Sequence, residues 1–183
     1  MPFKVQHYEG GNDEFGELDI LDYIYAVLHS PTYRERFKEF LKIDFPRIPY
    51  PKDAPTFWHL FALGSELRQI HLFESPVLSK YITKYPIAGD NVVGKINYHE
   101  QKVYINDNQY FENAPQAAWD FYIGGYQPAQ KWLKDRKDHV LEYDDIQRYQ
   151  KIIVALTETK RIISEIDKLE IEYPENVIFN NIQ

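Results

Sequence analysis

The feature that most constrains the fold is a long amphipathic pattern near the end of the sequence. From about Tyr143 to Leu169 apolar side chains recur at helical spacing, and Asp144 and Asp145 stand at the start, where carboxylates stabilise a helix. The apolar positions are Ile146, Tyr149, Ile152, Ile153, Leu156, Ile163 and Ile166. The pattern predicts one long helix that closes the folded part of the chain.

Three more helices are predicted in the first half of the chain. The first covers about 18–29, and the second begins at Pro31, because Ser30 suits an N-cap and proline suits the first helical position. The third covers about 56–74. Their predicted apolar faces are Ile20, Leu21, Ile24 and Leu28, then Tyr33, Phe37, Phe40 and Leu41, then Phe57, Leu60, Phe61, Leu67 and Ile70. Three prolines in 45–51 predict a stiff extended connector.

The period then changes from helical to alternating. Residues 92–98 and 102–106 alternate apolar and polar side chains around a turn at 99–101, which predicts an antiparallel hairpin with one buried face. Tyr110 and Phe111 are a candidate third strand. Beyond it, Pro115 suits a helix start, Gly124-Gly125 a break, and Pro128 the first turn of another helix.

Together these elements predict an α+β fold. A frame of about five helices, with a long C-terminal helix, would hold a small antiparallel sheet inserted before that last helix. Residues 1–17 are interpreted as a flexible lead-in, 18–170 as one domain, and 171–183 as a poorly ordered tail.

Composition excludes several function classes. The chain has no cysteine, which rules out disulfides and cysteine-based zinc sites. It has no secretory signal pattern and no apolar run near the ~20 residues of a membrane span. We therefore expect a soluble, cytoplasmic protein that does not contact a membrane. The 15 Tyr and 11 Phe residues suit either a recognition surface or a thick aromatic core.

The net charge of −7 is unfavourable for a nucleic-acid binder, but it is unevenly distributed. Residues 1–29 hold one lysine against six acidic residues, and 164–183 hold one lysine against five. The middle of the chain is therefore mildly basic. An acidic rim around a basic centre is compatible with DNA contact without requiring it.

Catalytic signatures are absent from the sequence. There is no phosphate-binding glycine loop, dinucleotide fingerprint, nucleophile elbow or paired-histidine metal motif. The six histidines are interpreted as structural or surface residues. Asp144 and Asp145 are better explained by helix capping than by acid–base chemistry. We expect no metal site.

Three groups of polar residues are candidate DNA contacts. The first lies after the Gly124-Gly125 turn, where glycine lets a backbone approach a phosphate and nearby cations neutralise it. Its members are Tyr126, Gln127, Gln130, Lys131, Lys134, Arg136 and Lys137. The second is a polar hairpin face: Lys95, Asn97, Lys102 and Tyr104. The third is a basic cluster on the second helix and connector that includes Arg34 and Arg47, for which a solvated helix face is the simpler explanation.

Four long segments resemble one family. They are LDYIYAVLHSPTYRERFKEFLKIDFPRIPYP (21–51), FWHLFALGSELRQIHLFE (57–74), WDFYIGGYQPAQKWLKDRK (119–137) and YDDIQRYQKIIVALTETKRIISEID (143–167). They resemble the C-terminal target recognition (specificity) domain of type ISP restriction–modification enzymes and related adenine-specific DNA methyltransferase–helicase proteins. The resemblance covers about residues 18–170.

The resemblance implies a non-catalytic module that recognises a short sequence in double-stranded DNA and presents an adenine to a methyltransferase, which flips it out. Its partners would be DNA and the methyltransferase, helicase and nuclease domains of a parent protein. S-adenosylmethionine, ATP and Mg²⁺ would belong to those absent domains, and this chain would need no cofactor. The alternative is a structural or protein-interaction module that docks a partner subunit through its helices. A stand-alone hydrolase or nuclease is a third hypothesis.

Overall fold

A computed structural model describes residues 16–169 and 171–172, and it has the predicted α+β architecture. Its helices are α1 (Glu17–His29), α2 (Pro31–Arg36), α3 (Ala54–His71), α4 (Gln116–Trp119), α5 (Pro128–Lys134) and α6 (Tyr143–Ile166). Its strands are β1 (Asn97–His99), β2 (Lys102–Tyr104) and β3 (Tyr110–Phe111), and Phe40–Lys42 and Pro76–Ser79 form single 3-10 turns. The described residues thus contain six α-helices where about five were expected. Most of the predicted lead-in and tail lies outside the described residues.

The long helix α6 is shared by two hydrophobic cores. Toward its C-terminal end, Val154, Ile162 and Ile166 pack with α1, α2 and α3. Toward its N-terminal end, Tyr149 and Ile153 pack with the sheet, α4 and α5. We call these two parts the helical half and the sheet half. The prediction of one long helix from Tyr143 is confirmed, and it ends at Ile166.

The buried face of α1 differs from the predicted one. Tyr23, Ala26 and Val27 are buried, whereas Ile20 and Leu21 are about half exposed. The reason is the close crossing of α1 and α3, where a Cβ on Gly64 would overlap the Asp22 carbonyl and contact Ala26. Small residues are favoured where two helices cross closely. The prediction used only the spacing of larger aliphatic side chains and therefore left Ala26 out of the buried face.

The N-cap of α2 is as predicted, but α2 and α3 both end earlier than predicted. The Ser30 hydroxyl accepts a hydrogen bond from the Tyr33 N–H, and Pro31 is the first residue of α2. The helix ends at Arg36, so Phe40 lies in a separate 3-10 turn. Helix α3 ends at His71 rather than near Glu74, because Phe73 takes a left-handed backbone conformation with φ 62°.

The connector at 45–51 forms no helix, as its prolines predict. Two tyrosines of the helical half hold it in place. The Tyr23 hydroxyl donates to the Pro49 carbonyl at 2.8 Å, and the Tyr33 hydroxyl donates to the Arg47 carbonyl at 3.1 Å.

The sheet is an antiparallel meander in the order β1-β2-β3, which confirms the hairpin and the third strand. It is shorter than predicted, because residues 92–96 form no part of β1. Val92 instead bridges Val140, and the Gly94 N–H bonds to the Ile105 carbonyl. The predicted helix starts after Pro115 and at Pro128 are both observed.

Candidate nucleic-acid interface

The Gly124-Gly125 turn and α5 together form a polar pocket. Ile123 and Tyr126 exchange two backbone hydrogen bonds of 3.0 and 3.3 Å, so the two glycines form a tight turn, with Gly124 at φ 59°. The pocket has a volume of about 340 Å³. It is lined by Tyr122, Gly125, Tyr126, Gln127, Lys131, Lys134 and Asp135. Four of the predicted contact residues therefore line one concavity.

The two lysines of this pocket differ in how their charge is balanced. The Lys131 ammonium contacts both Asp135 carboxylate oxygens, at 2.9 and 2.7 Å. The Lys134 ammonium donates to the neutral Gln130 side-chain amide at 3.2 Å. Gln130 in turn donates to the Trp119 carbonyl, which ties α5 to α4. Lys134 therefore offers the pocket a positive charge with no ion-pair partner among the described residues.

The last two basic residues of the predicted cluster have different surroundings. The Arg136 guanidinium lies 3.6 Å from the centre of the Trp132 ring and donates to the Trp132 carbonyl and to Asp145. These contacts fix it to α5 and to the start of α6. Lys137 is exposed, and within the described part of the chain it forms no ion pair. Arg136 thus has a clear structural role, whereas Lys137 is available to a ligand.

The second predicted group lies on the outer face of the sheet. The register places Asn97 opposite Tyr104, which is in turn opposite Tyr110, and it places His99 opposite Lys102. The Lys102 ammonium lies 4.7 Å from the centre of the Tyr110 ring, and the Tyr104 and Tyr110 rings are 5.1 Å apart. Asn97, Lys102 and Tyr104 therefore share one polar face. Lys95 is exposed but precedes β1.

The opposite face of the sheet is buried, which fixes the orientation of the polar one. Tyr98, Val103 and Phe111 pair across the strands and pack into the core of the sheet half. The Tyr98 hydroxyl donates to the Ala114 carbonyl at 2.9 Å, and burial, together with the charge of Asp120, raises its pKa. Alternation along β1 and β2 could have added His99 to the predicted face, but His99 was assigned to the turn. Tyr110 was missed because it lies on β3.

The third predicted group belongs to the other half of the molecule. Arg34 is exposed on α2, and the Arg47 guanidinium lies 5.0 Å from the centre of the Phe40 ring and 3.8 Å from Asp44. Neither residue lines the α5 pocket or belongs to the sheet. The structure therefore does not bring these arginines together with the α5 pocket or the hairpin face.

His71 has a structural role in the helical half. The two ring nitrogens of His71 lie 2.7 Å from the Tyr25 hydroxyl and 3.0 Å from the Thr159 hydroxyl. Among residues 16–169 and 171–172, no cluster of three His, Asp or Glu side chains has the arrangement of a metal site. No helix in those same residues combines the length and apolarity needed to cross a membrane.

Comparisons with solved structures show the same architecture within large DNA-bound proteins. A nuclease-deletion mutant of the type ISP restriction–modification enzyme LlaGI, in complex with a DNA substrate mimic, matches 88% of this chain at 20% identity and a TM-score of 0.65. The ATP-dependent type ISP enzyme LlaBIII bound to DNA matches 87% at 18% identity and a TM-score of 0.64. A DrdV–DNA complex matches 82% at 24% identity and a TM-score of 0.63.

This chain spans only a small part of each of those proteins: 17% of the LlaGI chain, 12% of LlaBIII and 18% of DrdV. No curated protein matches it. A family model, however, matches residues 3–165, which is most of the chain, and that model describes the type ISP C-terminal specificity domain. The chain therefore belongs to the family of type ISP C-terminal specificity domains.

Proposed function

We propose that this chain recognises a target sequence in double-stranded DNA as part of a larger restriction–modification polypeptide, and that it has no catalytic centre of its own. The observation that carries the proposal is the α5 pocket, where Lys134 and the exposed backbone of Gly125 meet Tyr126 and Gln127. Membership in a specificity-domain family supports it, as does the DNA bound in the three solved relatives.

The pocket suits a phosphate group flanked by a sugar or a base edge. No heavy atom lies within 4 Å of where a Gly125 Cβ would be, so its backbone is open to a ligand. Lys134 and Lys137 supply positive charge at one end of α5, and phosphate contacts from lysine carry most of the salt-dependent affinity for DNA. Tyr126 and Gln127 provide hydroxyl and amide groups that can bond to sugar or base atoms.

In the parent protein, recognition and catalysis would belong to different domains. This chain would select the sequence, and a methyltransferase domain would flip and modify an adenine in it. S-adenosylmethionine, ATP and Mg²⁺ would be bound by the methyltransferase, helicase and nuclease domains. With a net charge of −7, this domain would bind DNA weakly on its own and would gain affinity from its neighbours.

The first experiment is fluorescence anisotropy on mixed-sequence duplexes at several salt concentrations. We expect salt-sensitive binding by the chain, and we expect Lys134→Glu to weaken it and to reduce the slope of log K against log salt by about 1. The matched control is Lys160→Glu, since Lys160 is also an exposed lysine but lies on α6 in the helical half. Arg136 is unsuitable for this test because its replacement would disturb the fold.

Two outcomes would contradict this assignment. Equal losses in Lys134→Glu and Lys160→Glu would show a general charge effect rather than a contact in the α5 pocket. An absence of binding to any duplex at low salt would contradict DNA recognition by the chain itself.

A second candidate function is docking of a partner subunit. Helix α6 contributes its apolar face to both cores, but α1 and the connector expose apolar side chains, with Leu21 47%, Phe45 86% and Tyr50 90% exposed. Light scattering at increasing protein concentration tests whether this surface associates. A stable dimer that Phe45→Glu dissociates, and that excludes DNA from the α5 pocket, would favour docking over recognition.

A further inference from the structure

The tip of the β1–β2 hairpin has a backbone conformation that its residue types do not favour. His99 pairs with Lys102, which leaves Glu100 and Gln101 as the two residues of the turn. Their φ angles are 48° and 58°, both in the left-handed region. Two-residue hairpin turns with positive φ at both central positions are normally made by Asn-Gly, Asp-Gly or Gly-Gly. A Cβ atom strains this conformation, and this turn carries two long side chains.

The rest of the sheet half keeps the turn in this shape. The Ala114 N–H donates to the Gln101 carbonyl at 2.8 Å, and the Ala114 carbonyl accepts the Tyr98 hydroxyl. Both bonds join the hairpin to the segment that follows β3. The hairpin geometry is therefore set by contacts that do not involve the side chains of the turn.

The turn side chains themselves contribute little to the fold. Both residues are exposed. Among the described residues, the Glu100 carboxylate has one ion-pair partner, the neighbouring His99 ring at 3.4 Å, and the Gln101 amide forms no hydrogen bond. Folding alone would favour Asn-Gly at these two positions. Strained backbone held in place by its surroundings is a feature of functional sites.

We infer that Glu100 and Gln101 determine sequence specificity by contacting base edges in a groove of the bound DNA. The inference rests on the proposed function and adds to it two residues outside the α5 pocket. Glutamine can bond to adenine through two hydrogen bonds, and glutamate can accept one from cytosine N4. A two-stranded hairpin fits the major groove, and the polar face that continues from the tip, with Asn97 and Lys102, would lie along it.

The test relieves the strain and removes the side chain in one substitution. Gln101→Gly should raise the Tm by roughly 2–4 °C, because glycine adopts positive φ without penalty. The same variant should keep the salt dependence of duplex binding. In selection from a random duplex library, its preference at one or two base pairs should fall about tenfold or more. Glu100→Asn should relax the preference at a neighbouring position.

The control is Asn113→Gly. Asn113 is exposed and has φ 61°, so this change relieves the same kind of strain close to the sheet without touching the tip. It should raise the Tm and leave the selected sequence unchanged.

The outcomes separate this inference from the proposed function. If Gln101→Gly and Glu100→Asn select the same sequence as the wild type, the inference is wrong and DNA recognition stands. If they lose affinity for all sequences equally, the tip binds the DNA backbone and does not contact base edges, which also contradicts it. If the wild-type chain binds no duplex, both the proposed function and the inference are wrong.

Discussion

The helical half and the sheet half share α6, yet they bury different kinds of polar group. In the helical half, several buried and half-buried side chains form ion pairs. Asp22 is fully buried and accepts two hydrogen bonds from Arg68, at 2.6 and 3.0 Å. Arg161 bonds to three carboxylates, on Glu66, Glu158 and Glu165.

In the sheet half the buried polar network is neutral. Gln109 is 2% exposed, and its side-chain oxygen accepts from the Asn91 N–H and from the Asn106 amide. Its side-chain nitrogen donates to the Ile87 carbonyl and to the Asn91 side-chain oxygen, at 3.1 and 2.7 Å. The network joins the loop before β1 to the loop between β2 and β3.

Both the α5 pocket and the hairpin face lie on the sheet half, where the interior carries amides that do not titrate. Arg136 and Asp145 are half-buried there, but the lysines of the α5 pocket and Lys137 are exposed, where DNA can reach them. Salt and pH should therefore alter the stability of the helical half more than the scaffold of the proposed binding surface.

The largest predicted effect is at the contact between α1 and α3. Gly64→Ala would place a methyl group on the Asp22 carbonyl and against the Ala26 side chain, and the Asp22 backbone cannot move aside as a flexible side chain could. We expect loss of cooperative unfolding or a destabilisation above about 4 kcal/mol, measured by thermal and denaturant unfolding. Gly125→Ala is the control, since a Cβ there meets nothing within 4 Å. Equal stability of the two variants would show that the helices separate readily.

The next prediction compares the stability cost of breaking a buried ion pair with that of breaking an exposed one. Arg68→Met leaves the Asp22 carboxylate buried without its partner, and we expect a loss of about 3 kcal/mol, because Asp22 is buried and the Arg68 side chain is only 21% exposed. Lys131→Met breaks an ion pair whose side chains are about half exposed, so its cost should be below about 1 kcal/mol. Urea unfolding at low and high salt measures both. Similar losses would contradict the contrast between the halves.

The neutral network should be costly to break but insensitive to pH. Gln109→Leu keeps the volume and leaves the Asn91 N–H without its partner, while the Asn106 amide keeps only its bond to the Val92 carbonyl, so we expect a loss of about 2 kcal/mol. The loss should be the same from pH 5 to pH 8. Asn108→Ala, at an exposed neighbouring position, is the matched control and should change stability little.

Local signals in the sequence predicted much of this fold. Two helix starts were predicted correctly, at Pro31 after the Ser30 cap and at Pro128. Both depend on capping and proline preferences that act within one turn of helix. Alternation at 97–104 located the hairpin and its polar face. The first group of candidate DNA contacts was predicted from the glycines and lysines between residues 124 and 137, and four of its members line the α5 pocket.

The remaining features depend on contacts between distant segments. The Val92–Val140 bridge and the α1–α3 contact at Gly64 each join residues far apart in the chain, so no local period reveals them. Arg136 resembled its neighbouring cations in the sequence, and only the Trp132 and Asp145 contacts show its structural role. Glu100 and Gln101 are strained because the pairing of His99 with Lys102 makes them the two residues of the turn. Their residue types do not predict such a turn.

The smallest predicted effect concerns the two histidines of the helical half. Burial lowers the pKa of His71 to about 4, with the neighbouring His29 adding to the shift, and burial also lowers the pKa of His29. Their rings are 5.5 Å apart, and Arg34 on α2 and Arg68 on α3 add positive charge nearby. An unfolded histidine binds its proton near pH 6.5. The unfolded state therefore binds more protons between pH 6.5 and 4, and stability must fall as the pH falls through this range.

Allowing for the part of the rings that solvent reaches, we expect a loss of about 1–2 kcal/mol between pH 7 and pH 4.5. Chemical denaturation at each pH measures it, and His71→Gln, which can still bond to Tyr25 and Thr159, should lose less over the same range. His59→Gln is the control, because His59 is exposed on the same helix and should leave the pH dependence unchanged. If His71→Gln and the wild type lose stability in parallel, groups other than this histidine pair cause the acid sensitivity. The helical half would then still be the charged half, but the histidine pair would have no part in its response to pH.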